Sequence, residues 1–290
     1  MRLYRTSRWP VYCLPALLCL LVVPWPPRWS FAAVSSGGVL FEDSFDGPTL
    51  DETKWGVGTW QLGRTQLGQD PTFHTEPTGV TFARLPLSTY ASQSQGTLVT
   101  LALGTELFSK TSFALPTNAS QGLQFEARVR LLTDTFGLVA SFFTWGAKTG
   151  PGGIMLTDEI DFEDLTNTLS GTMLLTSFND WDATAIPPQY GDGIHHEAAL
   201  VTQGGLDRHT WHTLQIRWWS DHTEWYINGQ LVRSSRDAHP NDPMTVRFNF
   251  WAPTSDWNAA YSPALPPNVT YFYDIDYVRV TLISRRSAAR

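Results

Sequence analysis

Six consecutive residues, Asp158-Glu159-Ile160-Asp161-Phe162-Glu163, hold the clearest chemical signal in this 290-residue chain. On a β-strand, successive side chains point to opposite faces. Glu159, Asp161 and Glu163 then share one face, while Ile160 and Phe162 anchor the other in a core. Three like charges in a row repel, and each raises its neighbours' affinity for protons. Folding alone gives no reason to align them. Cleavage of a glycosidic bond does, because it needs one ionised carboxylate as nucleophile and one protonated carboxyl as acid. Crowding by Glu159 and Asp161 would keep Glu163 protonated near neutral pH. Residues four apart on an ideal strand are ~13 Å apart at Cα, whereas a retaining pair needs carboxyl groups about 5–5.5 Å apart. The two glutamates must therefore lean together over a concave, twisted sheet. An ordinary solvated strand face and a calcium cluster are the competing readings.

The elements that would carry such a row are strands. Thr97–Leu103, Leu123–Leu131, Leu138–Trp145, Thr213–Trp219 and Tyr271–Val280 alternate with period two, as half-buried strands do. Helical periodicity is almost absent. Glu224–Val232 reads as a hairpin turning at Asn228-Gly229, a pair suited to a type I′ turn. More than ten such strands without a linker or repeat predict one all-β domain, an antiparallel two-sheet sandwich, with a barrel as the alternative.

Residues 1–32 stand apart. Arg2, Arg5 and Arg8 precede an apolar run from Val11 to Pro24, followed by small residues around Ser30–Ala33. That order predicts an export signal and a secreted or periplasmic protein. The run is shorter than the roughly 20 residues that span a bilayer, so no membrane association is expected after cleavage; a retained anchor is the competing reading. Both cysteines, Cys13 and Cys19, fall in this segment, leaving a domain over 33–290 without thiol chemistry. Removing its four arginines changes the formal charge from −7 to −11. Such an acidic surface excludes nucleic acid as a partner. Ten of the thirteen tryptophans remain, more than a modest core needs, and indole faces suit the C–H faces of sugar rings. His195-His196-Glu197 has no third ligand at metal-binding spacing.

Glu159-Ile160-Asp161-Phe162-Glu163 resembles the active-site signature of glycoside hydrolase family 16. The likeness extends to Leu40–Gly47, Gly137–Thr144, Trp211–Trp218, Trp225–Gly229, Phe248–Trp251, Asp256-Trp257 and Tyr273–Val278. It implies a concanavalin A-like β-jelly-roll sandwich with an open cleft, and a retaining, endo-acting hydrolase of polysaccharide. By position it makes Glu159 the nucleophile, Glu163 the general acid/base and Asp161 the residue that orients the nucleophile. The signature lacks the extra bulge residue of many laminarinases, agarases and carrageenases. In this it is similar to lichenases and plant xyloglucan transglycosylases, which points to a β-1,3-1,4-glucan.

The same resemblance assigns Glu106, Asn179, Trp181, Asn249, Trp251 and Trp257 to sugar binding. It implies a monomer that needs no cofactor for its chemistry. It also implies a structural calcium held by the Asp276 side chain with the carbonyls of Asp43 and Gly96. Transglycosylation on the same residues, or a lectin-like sandwich that only binds, are the alternatives. Two departures stand out. Phe108 replaces an arginine that in relatives binds sugar hydroxyls, and Asp164 follows the signature where an aromatic is usual. An insertion-like stretch, 183–194, is expected near the cleft.

Overall fold

Alternating sequence of this kind builds strands almost without interruption. The computed structural model describes residues 34–90, 102–182 and 195–285. Gly96 and the stretch 183–194 lie outside the described residues, as does the segment 1–32. In chain order the strands are β1 (Val34–Asp43), β2 (Trp55–Val57), β3 (Gln61–Leu62), β4 (Thr65–Leu67), β5 (Thr72–Thr75) and β6 (Thr81–Thr89). Then come β7 (Ala102–Phe113), β8 (Gln121–Leu131), β9 (Val139–Thr149), β10 (Met155–Leu165), β11 (Thr172–Trp181) and β12 (His196–Thr202). The last five are β13 (His212–Trp218), β14 (Thr223–Ile227), β15 (Gln230–Ser235), β16 (Met244–Trp251) and β17 (Thr270–Arg285). Among the described residues the helical content is one 3-10 turn, Pro151–Gly153.

Two antiparallel sheets face each other, as the alternation predicts. One runs β12–β11–β10–β9–β16–β7–β2. The other is built on β17, which pairs with β8 on one edge and with β6 and β1 on the other, then continues through β13, β14 and β15. The long β7 joins the two, because its first residues pair with β6 and, in a short parallel stretch, with β4. The β14–β15 hairpin turns at Asn228 (φ 49°) and Gly229 (φ 76°), the left-handed pair a type I′ turn requires.

The core lies between the sheets. From the first sheet, Phe142, Phe162 and Phe248 stack in a row, with ring centroids 6.5 and 5.3 Å apart. Trp218 and Trp225 of the second sheet are fully buried against them in the same cluster. Those indoles are core, whereas Trp60, Trp145, Trp251 and Trp257 lie on the opposite face of the first sheet. Burying the phenylalanines inward forces their neighbours at i±1 outward, and this carries the acidic row to the exposed face.

Candidate active site

On β10 the alternation is complete: Ile160 and Phe162 are buried in the core, and Glu159, Asp161 and Glu163 point to the outer, concave face. The ladders to β9 and β11 are in continuous register across these five residues, with the nearest irregularity before Glu159. Register then fixes what stands beside each acid. Glu163 is opposite Ser141 of β9, which is opposite Asn249 of β16, itself opposite Glu106 of β7. Asp161 is opposite Phe143, then Arg247, then Phe108. Glu159 is opposite Trp145, then Thr245. On the other side the partners are Leu174 and Leu200 for Glu163, Thr176 and Ala198 for Asp161, and Phe178 and His196 for Glu159.

The acids thus form a ridge between two cavities. The first, about 490 Å³, is walled by Trp60, Glu106, Ser141, Trp145, Arg247, Asn249 and Trp251. The second, about 510 Å³, is walled by Leu174, Thr176, Phe178, His196, Leu200 and Trp257. Both are open to solvent, so a chain can lie across the ridge and extend beyond it in both directions.

Electrostatics separates the acids' roles. Burial pushes Glu163 up to about 8, with the charge of Glu159 adding to the rise. Burial also lifts Glu159, to about 7, but a hydrogen bond from Asp161 and the positive charge of Arg247 pull it back. Asp161 is driven well above the ordinary carboxylate range by burial, then by the charges of Glu159 and Glu163. The protonated Asp161 accordingly donates to the Glu159 carboxylate. One ionised and one protonated glutamate on the same face is the pairing that acid-assisted displacement needs.

Glu106 is buried and raised to about 6, chiefly by desolvation. Arg247 Nη1 donates to its Oε1 at 2.9 Å, and Asn249 donates a further hydrogen bond. The Arg247 guanidinium also lies 4.3 Å from the Trp145 ring centroid and 5.4 Å from that of Phe108. Arg247 stands directly across the β7–β16 ladder from Phe108. Phe108 in turn lies over Gly56, where a Cβ would come within 2.3 Å of the ring.

Of the other expected sugar contacts, Asn249, Trp251 and Trp257 line the cavities, and Trp251 stacks on Trp257 at 5.5 Å. Trp181 backs the second cavity by packing on Phe178 and His196. Asn179 is turned elsewhere: its Oδ1 accepts from Asn241 Nδ2 and its carbonyl meets His195 Nδ1. It belongs to a clamp centred on Asp158, whose carboxylate accepts the backbone N–H groups of Asp180, Asn241 and Asp242 at 2.7–2.8 Å. Lys148 Nζ sits between Asp180 and Asp242, at 2.6 and 2.7 Å.

Asp164, unexplained from sequence, packs inward, with Arg208 Nη2 at 3.2 Å from its Oδ1. Ser141, Arg247, Trp60 and Trp145 are cleft residues that sequence reasoning missed. Ser141 and Trp145 share a face of β9, Arg247 lies on β16 and Trp60 between β2 and β3, and nothing local tied these positions to the acids.

Of the expected calcium donors, the Asp276 carboxylate accepts from Arg128 Nη1 at 2.6 Å, and Gly96 lies outside the described residues.

The profile of glycosyl hydrolases family 16 matches residues 88–278, about two thirds of the chain. The chain belongs to this family. The beta-glucanase of Bacillus subtilis (strain 168) is 28% identical over 160 residues, covering 54% of this chain and 57% of that protein. The chain thus spans about half the length of the curated relatives it matches. Among solved structures, the beta-glucanase of Bacillus licheniformis has a TM-score of 0.58 at 20% identity, covering 85% of this chain and 99% of that one. The catalytic domain of an endo-1,3-beta-glucanase (laminarinase) from Thermotoga petrophila RKU-1 has 0.61 at 17%, covering 85% and 98%. These likenesses establish a family 16 jelly-roll fold for this family 16 chain.

Proposed function

We propose that the chain is a retaining, endo-acting hydrolase of β-glucan. The observation that carries this is the Glu159–Asp161–Glu163 row on the concave face, poised with one glutamate lifted to about 8 and its partner held lower by Arg247 and Asp161. Ionised Glu159 attacks the anomeric carbon while Glu163 protonates the departing oxygen, leaving a glycosyl ester on Glu159. Glu163, now ionised, takes a proton from water, which displaces Glu159 and regenerates both groups. Asp161 steadies the nucleophile through its hydrogen bond in both steps. No cofactor enters this cycle. A carbohydrate-binding module would gain nothing from a buried, partly protonated acid row, and this disfavours the lectin-like reading.

A cleft open at both ends supports attack within a chain rather than at its end. The curated relatives, named beta-glucanases, support a β-glucan substrate, and the unbulged signature favours a β-1,3-1,4-glucan. The unit is read as a monomer, as the family resemblance implies. The basic-apolar-small order of residues 1–32 supports export of the domain that follows. Reducing-end release by residues 33–290 from mixed-linkage glucan, laminarin, xyloglucan and agarose tests the reading, with Glu159→Gln as the blank. Release from a glucan that vanishes in the variant supports it; no release from any polymer overturns it.

A further inference from the structure

Asp158 stands immediately before Glu159 and is buried, with 1% of its surface exposed. The proposed chemistry gives it no task, and a carboxylate is costly to bury unless it is hydrogen-bonded. Three backbone donors meet it: Asp180 N on Oδ1 at 2.8 Å, and Asn241 N and Asp242 N on Oδ2 at 2.7 and 2.8 Å. The first of these holds an irregularity beside the nucleophile. Thr157 pairs with Trp181 and Glu159 with Phe178, so β11 spends one more residue than β10 there, and Asp180 takes a left-handed φ of 51°. The other two hold the segment that leads into β16 at Met244. That segment comes close because the partner of Asp158 on β9 is Gly146, where a Cβ would lie 2.3 Å from the Pro243 carbonyl oxygen.

From β16 the contacts return to the nucleophile. Thr245, just past Met244, is opposite Trp145, and its Oγ1 donates to the Trp145 carbonyl at 2.9 Å. Arg247 Nε donates to the same Oγ1 at 2.9 Å, and the guanidinium lies over the Trp145 ring. Trp145 is itself opposite Glu159. One buried carboxylate thus ties the strand of the nucleophile to the strand of the cation that acts on it. We infer that Asp158 is a positioning residue: by fixing the start of β16 against β10, it sets where Arg247 stands relative to Glu159. The inference rests on the hydrolase reading, since it gives Asp158 its task through Glu159. The other charged or titratable groups around Glu159 are Asp161 and Glu163 on its own strand, Glu106 on β7, and His196 of β12 beyond Phe178. Those around Asp158 are Asp180 and Asp242, which share Lys148 of β9.

Asp158→Asn is the first test. An amide has one acceptor oxygen, so whichever way it turns, an N–H faces a backbone N–H. On the glucan that the protein cleaves, kcat should fall about ten-fold with KM little changed, as misplacement of a reacting group does. The acid limb of kcat/KM should move to higher pH, because Arg247 no longer sits where it holds Glu159 ionised. A merely structural loss would leave that limb in place, and loss of the Asp158 charge alone would lower it. Gly146→Ala reaches the same joint from the other side, by pushing Pro243 away. It should move the limb in the same direction, and it carries the test should Asp158→Asn not fold. In the Asp158→Asn/Arg247→Met double variant the limb should stand where Arg247→Met alone puts it, because the cation that Asp158 places is already gone. A limb that stays or falls in the folded single variants overturns the inference while glucan cleavage stands. So does a shift in the double variant equal to the sum of the two singles. If the unaltered chain cleaves no glucan, the hydrolase reading falls first and takes the inference with it.

Discussion

Arg247 stands opposite Phe108 in the β7–β16 ladder, and its guanidinium reaches past that ring to Glu106 Oε1 at 2.9 Å. Its positive charge holds Glu159 down, while Glu106 pushes it up. In Arg247→Met the acid limb of the kcat/KM profile should move to higher pH, because Glu159 then protonates more readily. Activity at the optimum should fall about ten-fold or more, in line with the loss of a charged hydrogen bond. Arg247→Lys restores the limb more fully than the rate, because an ammonium keeps the charge but not the planar geometry stacked on Trp145.

The paired glutamates predict a bell-shaped profile. Below about 7 Glu159 gains a proton and loses nucleophilicity; above about 8 Glu163 loses the proton it must donate. kcat/KM should therefore peak between these values, and the two limbs belong to the coupled pair rather than to either residue alone. Glu163→Gln should lower kcat on a polymer by about 10²–10⁴-fold. It should remain faster on a substrate whose leaving group needs no proton. A profile unchanged in Glu163→Gln would remove that residue from the mechanism.

Ser141 separates binding from folding. Its hydroxyl is buried, unpartnered among the described residues, and opposite Glu163. Ser141→Ala should leave the melting temperature unchanged or slightly raised, since an unpaired polar group is removed. kcat/KM should drop about two- to ten-fold, the worth of one ordinary hydrogen bond. Thermal melts and steady-state kinetics on the same preparation check both halves of the expectation.

Behind the row, Asp164 and Arg208 form a buried ion pair, with Arg208 also donating to the Thr166 and Thr168 carbonyls. Arg208→Met strands the carboxylate and should destabilise the fold by about 3–5 kcal/mol. Burial raises Asp164 to about 6, even against the charge of Arg208. The folded chain thus holds this proton more tightly than the unfolded chain does. Asp164's contribution to stability is full at low pH and declines as pH rises through the ordinary carboxylate range to about 6. Asp164→Asn should flatten that segment of the stability curve in denaturant titrations.

Two acidic sites that could invite a divalent ion already hold a side-chain cation: Asp276 pairs with Arg128, and Asp180 and Asp242 share Lys148. A chelator should therefore leave the melting temperature unchanged. A chelator-dependent fall reversed by calcium would show that the ion displaces one of these cations.

The acidic row was legible because its signal is local. Spacing at i, i+2 and i+4 with apolar residues between needs only strand geometry, and the fold keeps Ile160 and Phe162 inward as that geometry requires. The two-sheet sandwich was legible for the same reason, strand by strand. What could not be read was register. Ser141 enters the site because β9 pairs with β10, and Arg247 because β16 pairs in turn with β9. β16 is distant from the acids along the chain, and although β9 directly precedes β10, no local pattern encodes which residue of one faces which residue of the next. Asp164 looked anomalous because Arg208 is brought to it only by the fold, and nothing local foretold that Asn179 Oδ1 would accept from Asn241.

The last two strands of the concave sheet, β11 and β12, form a hairpin whose outer member pairs, among the described strands, with β11 alone. Among the described residues, everything the second cavity presents beyond the acids and Leu165 comes from this hairpin and the Trp257–Ala259 segment. Such a unit is exchangeable: new residues at 174, 176, 198 and 200 would change one side of the acidic row while leaving the Glu106, Arg247 and Asn249 side untouched. The scaffold can thus diversify one flank of its cleft by altering one marginal ribbon, a modularity that random substitution across the whole cleft would not reach.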